Sequence, residues 1–270
     1  MSAFGVEELT VRYGDTIALD DITLSLPAGE VTAVVGGDGA GKSTLLAALV
    51  GLVAPSMGVV RAPDDAHLGY LPASAGSWAE LTVMQNMMFT AEVFGDVEAA
   101  RVEELLRRAQ LWQARDRLAR ALSGGMRKKL GFCMAVASSP ELIVLDEPST
   151  GVDPVSRVEL WRLIADAAVS GAAVVMASTY LDEAERANRV LALDHGAALL
   201  QGQPDELRSA MPGAVARVDE PRDPRLAWRY GRGYREWFPD ANTPVPAEEP
   251  DLETAVIVAS LARELEGGRL

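Results

Sequence analysis

The residues Gly36-Gly37-Asp38-Gly39-Ala40-Gly41-Lys42-Ser43 fit the pattern G-x-x-x-x-G-K-[ST]. Glycines at these spacings let backbone N–H groups curl around an anion with no Cβ in the way. A helix starting here aims its positive end at the same point. Lys42 is placed to reach the β- and γ-phosphates of a bound triphosphate, and the Ser43 hydroxyl suits Mg²⁺. A second group is Leu142-Ile143-Val144-Leu145-Asp146-Glu147-Pro148, an apolar run ending in two acids. A strand of this kind delivers both acids to the carboxyl edge of a sheet, where open α/β folds bind ligands. Asp146 suits Mg²⁺, directly or through water, and Glu147 suits a base that polarises an attacking water. Paired acids after a strand also make ordinary solvated turns; the glycine loop upstream is what favours chemistry. The third group, Leu122-Ser123-Gly124-Gly125-Met126, sets a serine and two glycines at a helix start. That is a further anion site, although Ser-Gly-Gly alone is also a common N-cap.

The elements that must position these groups are readable from periodicity. Val6–Tyr13 and Ile17–Leu26 alternate with period two around a Gly14-Asp15 turn, and Glu30–Val35 is a β-branched run entering the glycine cluster. Lys42–Leu52 reads as a helix, Val59–Arg61 and His67–Leu71 as strands. Val83–Phe94 and Val97–Arg108 carry helical spacing, and a further helix is predicted over Gly124–Ser138. Leu142–Leu145 and Ala172–Ala177 are continuous apolar runs of the kind buried on both faces of a parallel sheet. Pro154 suits the first turn of a helix through Ala168. Leu181–Ala187 is predicted as a short helix, and Val190–Leu193 with Ala197–Leu200 as a hairpin turning at Asp194-His195-Gly196. Alternating strands and helices make the class α/β. From about Met211 proline and charge rise, and Trp228, Tyr230, Tyr234, Trp237 and Phe238 cluster. The cluster reads as the core of a small appended unit rather than an aromatic binding platform.

Composition excludes several classes. A net charge of −14, with Lys42, Lys128 and Lys129 as the sole lysines, argues against nucleic acid as a partner. Cys133 stands alone, so one chain can build neither a disulfide framework nor a Cys-based zinc cage; it reads as a small buried residue. Met1–Thr10 has no basic start and no apolar core, unlike a signal peptide, and no run is long enough to span a membrane. A cytoplasmic location is expected.

The three groups, in this order and spacing, resemble the nucleotide-binding subunit of an ABC transporter from about Phe4 to Ala210. The resemblance implies a P-loop cassette over residues 1–210, with a RecA-like core, an antiparallel β part and a helical subdomain near 75–138. It leaves residues 211–270 as an accessory domain. It implies ATP and Mg²⁺ as ligands and a head-to-tail dimer, in which the Ser-Gly-Gly signature of one subunit closes over the ATP of the other. Carried over by position, Tyr13 stacks on adenine and the loop from Gly36 to Thr44 holds the triphosphate. Ser43 and Asp146 take Mg²⁺, and Glu147 is the catalytic base. Ser123, Gly124 and Gly125 cap the partner's γ-phosphate, and Asp153 lies in the loop that communicates between sites. Met126 stands where Gln is most frequent, a variant familiar among exporters. Gly151–Arg157 and the ending Pro250-Asp251-Leu252-Glu253 resemble exporters with type-two permeases, which places the chain on the inner face of the cell membrane through a separate permease.

Two positions depart from the family. Ala73 follows Gly69-Tyr70-Leu71-Pro72 where a Gln is usual, and Thr179 occupies the place of a His that contacts the γ-phosphate. A methyl coordinates nothing, and a Thr hydroxyl is shorter than a His and never cationic. Gly37 and Asp38 also replace the commoner Pro and Asn. The expectation is a site that binds ATP but turns it over slowly, beside an intact signature that completes a competent site on a different partner. That arrangement is an asymmetric heterodimer. An ordinary homodimeric exporter and a soluble nucleotide-gated clamp are the alternatives. The Met and Phe stripe of Val83–Phe94 serves equally well as helical core or as a seat for a permease helix.

Overall fold

The computed structural model describes residues 4–95 and 97–267; the first three residues of the Met1–Thr10 run lie outside these. β1 (Phe4–Tyr13) and β2 (Thr16–Leu26) form the expected antiparallel hairpin. β3 (Val31–Val35) is buried throughout and leads into α1 (Lys42–Leu49); β4 (Met57–Arg61) then pairs with β1, giving a sheet of order β2-β1-β4. The predicted helix over Lys42–Leu52 is too long. Gly51 adopts a φ of 73°, and the Leu52 and Val53 amides fold back on the Ala47 carbonyl, which stops α1 at Leu49.

After β5 (Leu68–Leu71) come three helices, α2 (Val83–Phe94), α3 (Ala99–Arg108) and α4 (Gly124–Ala135). α2 opens on a capping box between Thr82 and Gln85. α3 starts two residues later than predicted, behind Glu98, and α4 ends at Ala135 rather than Ser138. The methionine stripe divides: Met87 is fully buried and Met84 packs on the core, whereas Met88 and Phe89 are exposed and Phe89 meets the Trp78 ring edge-on. Cys133 is buried as expected, and desolvation pushes its thiol up to about 12.

β6 (Leu142–Asp146), α5 (Pro154–Val169), β7 (Ala173–Ser178), α6 (Leu181–Ala184), β8 (Arg189–Asp194), β9 (Ala197–Gly202) and α7 (Pro204–Ser209) complete the larger layer. Its sheet has the order β5-β6-β7-β3-β8-β9, with β9 antiparallel to β8 and the rest parallel. α6 is shorter than the predicted Leu181–Ala187. β6, β7 and β3 are adjacent and fully buried, which accounts for their unbroken apolar runs. The glycine loop after β3 and the acids after β6 therefore emerge at the same sheet edge, one strand apart. This is the α/β cassette architecture that the three motifs require.

β10 (Ala214–Val218), β11 (Ala227–Tyr230) and β12 (Gly233–Phe238) form a separate antiparallel sheet of order β10-β12-β11, followed by α8 (Leu252–Glu266). Trp237 packs there with Val215 and Val258, and Trp228 lies against them; Tyr230 is more exposed. α8 is anchored to the larger layer by Leu252, which is fully buried and whose amide donates to Glu185 Oε1 at 2.9 Å. Among the described residues, no helix is long and apolar enough to cross a membrane.

Candidate phosphate and metal site

Gly36, Gly39 and Gly41 adopt φ values of 149°, 78° and 106°, so the loop between β3 and α1 depends on glycine. At Gly41 a Cβ would lie 2.7 Å from Leu19 Cδ2 and 2.8 Å from the Ala18 carbonyl oxygen, so the β1–β2 hairpin presses directly on the loop. Gly37, Asp38 and Gly39 are exposed, Ala40 is buried and Thr44 is partly buried. Lys42 is buried, and its Nζ donates to the Gly36 and Gly37 carbonyls at 2.8 and 3.0 Å. The ammonium thus lies against the concave backbone that an anion would contact.

Ser43 Oγ donates to Asp146 Oδ1 at 3.2 Å, joining the first turn of α1 to the end of β6. Burial pushes the Asp146 carboxyl above its ordinary value. The charge of Glu147 adds to this, while Ser43, Lys128 and Lys42 oppose it. Glu147 has a φ of 46°, a left-handed backbone for a residue with a side chain, which costs about 1–3 kcal/mol. Its N–H donates to the Ala177 carbonyl at 3.1 Å, and its own carbonyl accepts from Lys128 Nζ at 2.8 Å. The same Nζ donates to the Ala73 carbonyl at 2.7 Å. Ala73 itself is exposed.

Ser123 caps α4, its Oγ accepting from the Met126 amide at 3.2 Å. Gly124 and Gly125 allow close approach to the loop after β6 and the first turn of α5: a Cβ on Gly124 would lie 3.0 Å from the Gly151 carbonyl oxygen, and one on Gly125 2.7 Å from Ser156 Cβ. Asp153 caps α5 through the Val155 and Ser156 amides at 3.1 and 3.0 Å; the hydrogen bonds from Ser156 foremost hold its carboxyl below the ordinary range. Ser123–Gly125 and Asp153 are therefore neighbours within the chain. Among the described residues no hydrogen bond joins either to the glycine loop. Tyr13 is exposed at the tip of β1 and Thr179 is exposed after β7.

Two residues that the motifs did not single out hold these parts together. Lys128 spans the loops after β5 and β6 through the two carbonyls it meets. Glu183 is buried on α6, and its Oε2 accepts from Ser149 Oγ at 2.8 Å and Ser178 Oγ at 2.6 Å. It ties the loop between Glu147 and Asp153 to the residue preceding Thr179. Arg157 lies 3.8 Å from its other oxygen and supplies the countercharge. The sequence signal for Glu183 is faint: an acid four residues beyond Thr179, on the inward side of a short helix. The donors at the metal position are a hydroxyl and a carboxylate, both hard oxygens. They fit Mg²⁺, which takes one or two protein ligands and fills its octahedron with water and phosphate oxygens.

The family model described as "ABC transporter" matches residues 19–150. The probable multidrug ABC transporter ATP-binding protein YbhF of Escherichia coli is 36% identical over 222 residues, covering 77% of this chain and 38% of that protein, so the chain spans well under half of that relative. The daunorubicin resistance ATP-binding protein DrrA3 of Streptomyces coeruleorubidus is 35% identical over 230 residues, covering 78% and 72% of the two chains. A solved structure of an ATP-binding subunit of an ABC transporter aligns with a TM-score of 0.70 at 27% identity, covering 77% of this chain and 92% of that one.

Proposed function

The chain belongs to the ABC transporter family as an ATP-binding domain, and on that premise we propose that it is the ATPase subunit of an exporter working through a separate type-two permease. The names of its multidrug and drug-resistance relatives support outward transport. The observation that carries ATP chemistry is the Ser43–Asp146 hydrogen bond at 3.2 Å, which places a hydroxyl and a carboxylate together beside the glycine loop.

On binding, Lys42 leaves the Gly36 and Gly37 carbonyls for the β- and γ-phosphates, while the amides from Gly36 to Thr44 wrap the triphosphate. Ser43 and Asp146 would hold Mg²⁺, which when bound would supply charge neutralisation on the phosphate oxygens. Glu147 orients a water toward the γ-phosphate. Tyr13 stacks on adenine. Ser123, Gly124 and Gly125 close over the nucleotide of a second subunit, and Asp153 passes the state of one site to the other. Residues 1–210 form this cassette, with 75–138 as its helical part and 211–270 as an accessory domain. The exposed Trp78, Met88 and Phe89, with the Trp78 and Phe89 rings edge to face, suit the seat of a permease helix. The membrane association follows from that permease.

Ala73 and Thr179 remove two groups that orient water and contact the γ-phosphate. Losses of this kind cost about 10²–10⁴ in rate. The chain's own site therefore binds ATP and hydrolyses it slowly, and its signature completes a competent site on a different partner subunit. Titration calorimetry with Mg-ATP tests the binding step. Lys42→Ala is expected to weaken affinity by about ten- to a hundred-fold, the worth of one charge-assisted contact. Equal affinity in wild type and variant would mean that the glycine loop does not hold the nucleotide.

A further inference from the structure

We propose that Lys128 is a positioning residue of the phosphate site, a clamp that ties the loops bearing Ala73 and Glu147 to the helix headed by Ser123. The inference rests on the reading of this site as an ATPase. Lys128 stands on α4, four residues beyond the Ser123-Gly124 helix start, with its side chain almost wholly buried. Its Nζ donates to the Ala73 carbonyl at 2.7 Å and to the Glu147 carbonyl at 2.8 Å. The two acceptors belong to loops that leave neighbouring strands, β5 and β6, so one ammonium closes the gap between them.

The clamp has a definite object. Glu147 is held in a left-handed backbone conformation, which persists only where its surroundings over-determine it. Its N–H is fixed by Ala177 and its C=O by Lys128 at 2.8 Å, with a longer contact from the Thr150 amide at 3.4 Å, so both ends of the strained residue are tied and its carboxylate is aimed by the backbone. Ala73 brings no functional side chain to its loop, yet its carbonyl supplies the loop's connection to the catalytic strand. Because Lys128 rides on α4, any tilt of that helix moves both loops at once. A buried cation among carbonyls is expensive to desolvate, a cost that the charges of Glu147 and Asp146 only partly offset. An apolar residue of the same length would fill the space at lower cost, so packing alone does not account for it.

The test compares wild type, Lys128→Met and Lys128→Arg in the full chain, with Glu147→Gln as the blank. Single-turnover Mg-ATP hydrolysis over a range of protein concentrations gives the maximal rate and the half-saturation point. Backbone amide exchange is followed in peptides covering 71–78 and 146–150. The clamp predicts that Lys128→Met loses about 10–100-fold in maximal rate, the cost of a misplaced reacting group, with half-saturation changed less than about threefold. Exchange in both peptides rises together, and Lys128→Arg, which keeps the charge and the donors, recovers most of each. If Lys128→Met turns over as wild type does, or loses nucleotide binding and rate in equal measure, the clamp is wrong while the ATPase reading stands. Where wild type does not exceed the blank, as its slow site predicts, the rate comparison is made in the Ala73→Gln/Thr179→His background, and if that background also stays at the blank the ATPase reading fails. Exchange alone then decides the clamp: faster in both loops upholds it, unchanged in either overturns it. Should Lys128→Met fail to fold, the arginine variant decides the matter, since exchange in both loops at the wild-type level is required of it.

Discussion

At the scale of single residues the site is held by buried groups that speak to backbone as much as to one another. Lys42 and Lys128 both spend their ammonium donors on carbonyls, and Glu183 spends one carboxylate oxygen on two serine hydroxyls. Removing that acceptor takes away the group to which the buried Ser149 and Ser178 hydroxyls donate, although Ser178 Oγ still accepts from the Tyr180 amide at 3.0 Å. Glu183→Ala is expected to cost about 1–3 kcal/mol in denaturant unfolding, and Glu183→Gln less than half of that because it keeps an acceptor. An alanine variant within about 0.5 kcal/mol of wild type would show that Ser149 and Ser178 find other partners. The glycine loop, Ser43, Asp146 and Glu147 were legible in the sequence because their chemistry demands fixed residue types at fixed spacing. Lys128 and Glu183 were not. Their partners are carbonyls and hydroxyls 5 to 55 positions away, and a carbonyl leaves no mark on residue type.

At the scale of elements, α4 is where the site meets the helical part. Lys128 faces the two loops and Lys129 pairs with Glu159 of α5 at 2.9 Å, so neighbouring residues pull the helix toward different partners. Gly131 lets α4 come close: a Cβ there would lie 2.2 Å from the Ala75 carbonyl oxygen and 2.6 Å from Leu71 Cδ1. Gly131→Ala gains about 1 kcal/mol of helix propensity but must displace backbone, at about 1–3 kcal/mol. Net destabilisation is expected by denaturant titration; a stabilised variant would mean that α4 is free to slide. The pattern in the sequence found every helix of the larger layer down to α6, apart from the short α7, and overran several of their ends. Apolar runs such as Leu130–Ala137 continue past the last helical hydrogen bond because the chain stays buried as it turns toward β6. Gly51 marked the true end of α1 in the sequence, and the apolar residues beside it outweighed that mark.

At the scale of the whole molecule, the order β5-β6-β7-β3-β8-β9 is what brings the glycine loop and the acidic pair to one edge, and periodicity does not encode strand order. The tail was harder to read, since its three short strands and α8 depend on long-range pairing around Trp237. The central claim is that a cassette with Ala73 and Thr179 binds ATP yet waits on a partner to turn it over well. Steady-state Mg-ATPase of the purified chain tests it most directly, comparing wild type with the Ala73→Gln/Thr179→His double variant against a Glu147→Gln blank. Wild type is expected close to the blank, with a gain of about 10²-fold or more in the double variant, the rate that such positioned groups supply. A wild type that already turns over well, with nothing added by the two replacements, would contradict the claim and leave an ordinary homodimeric motor.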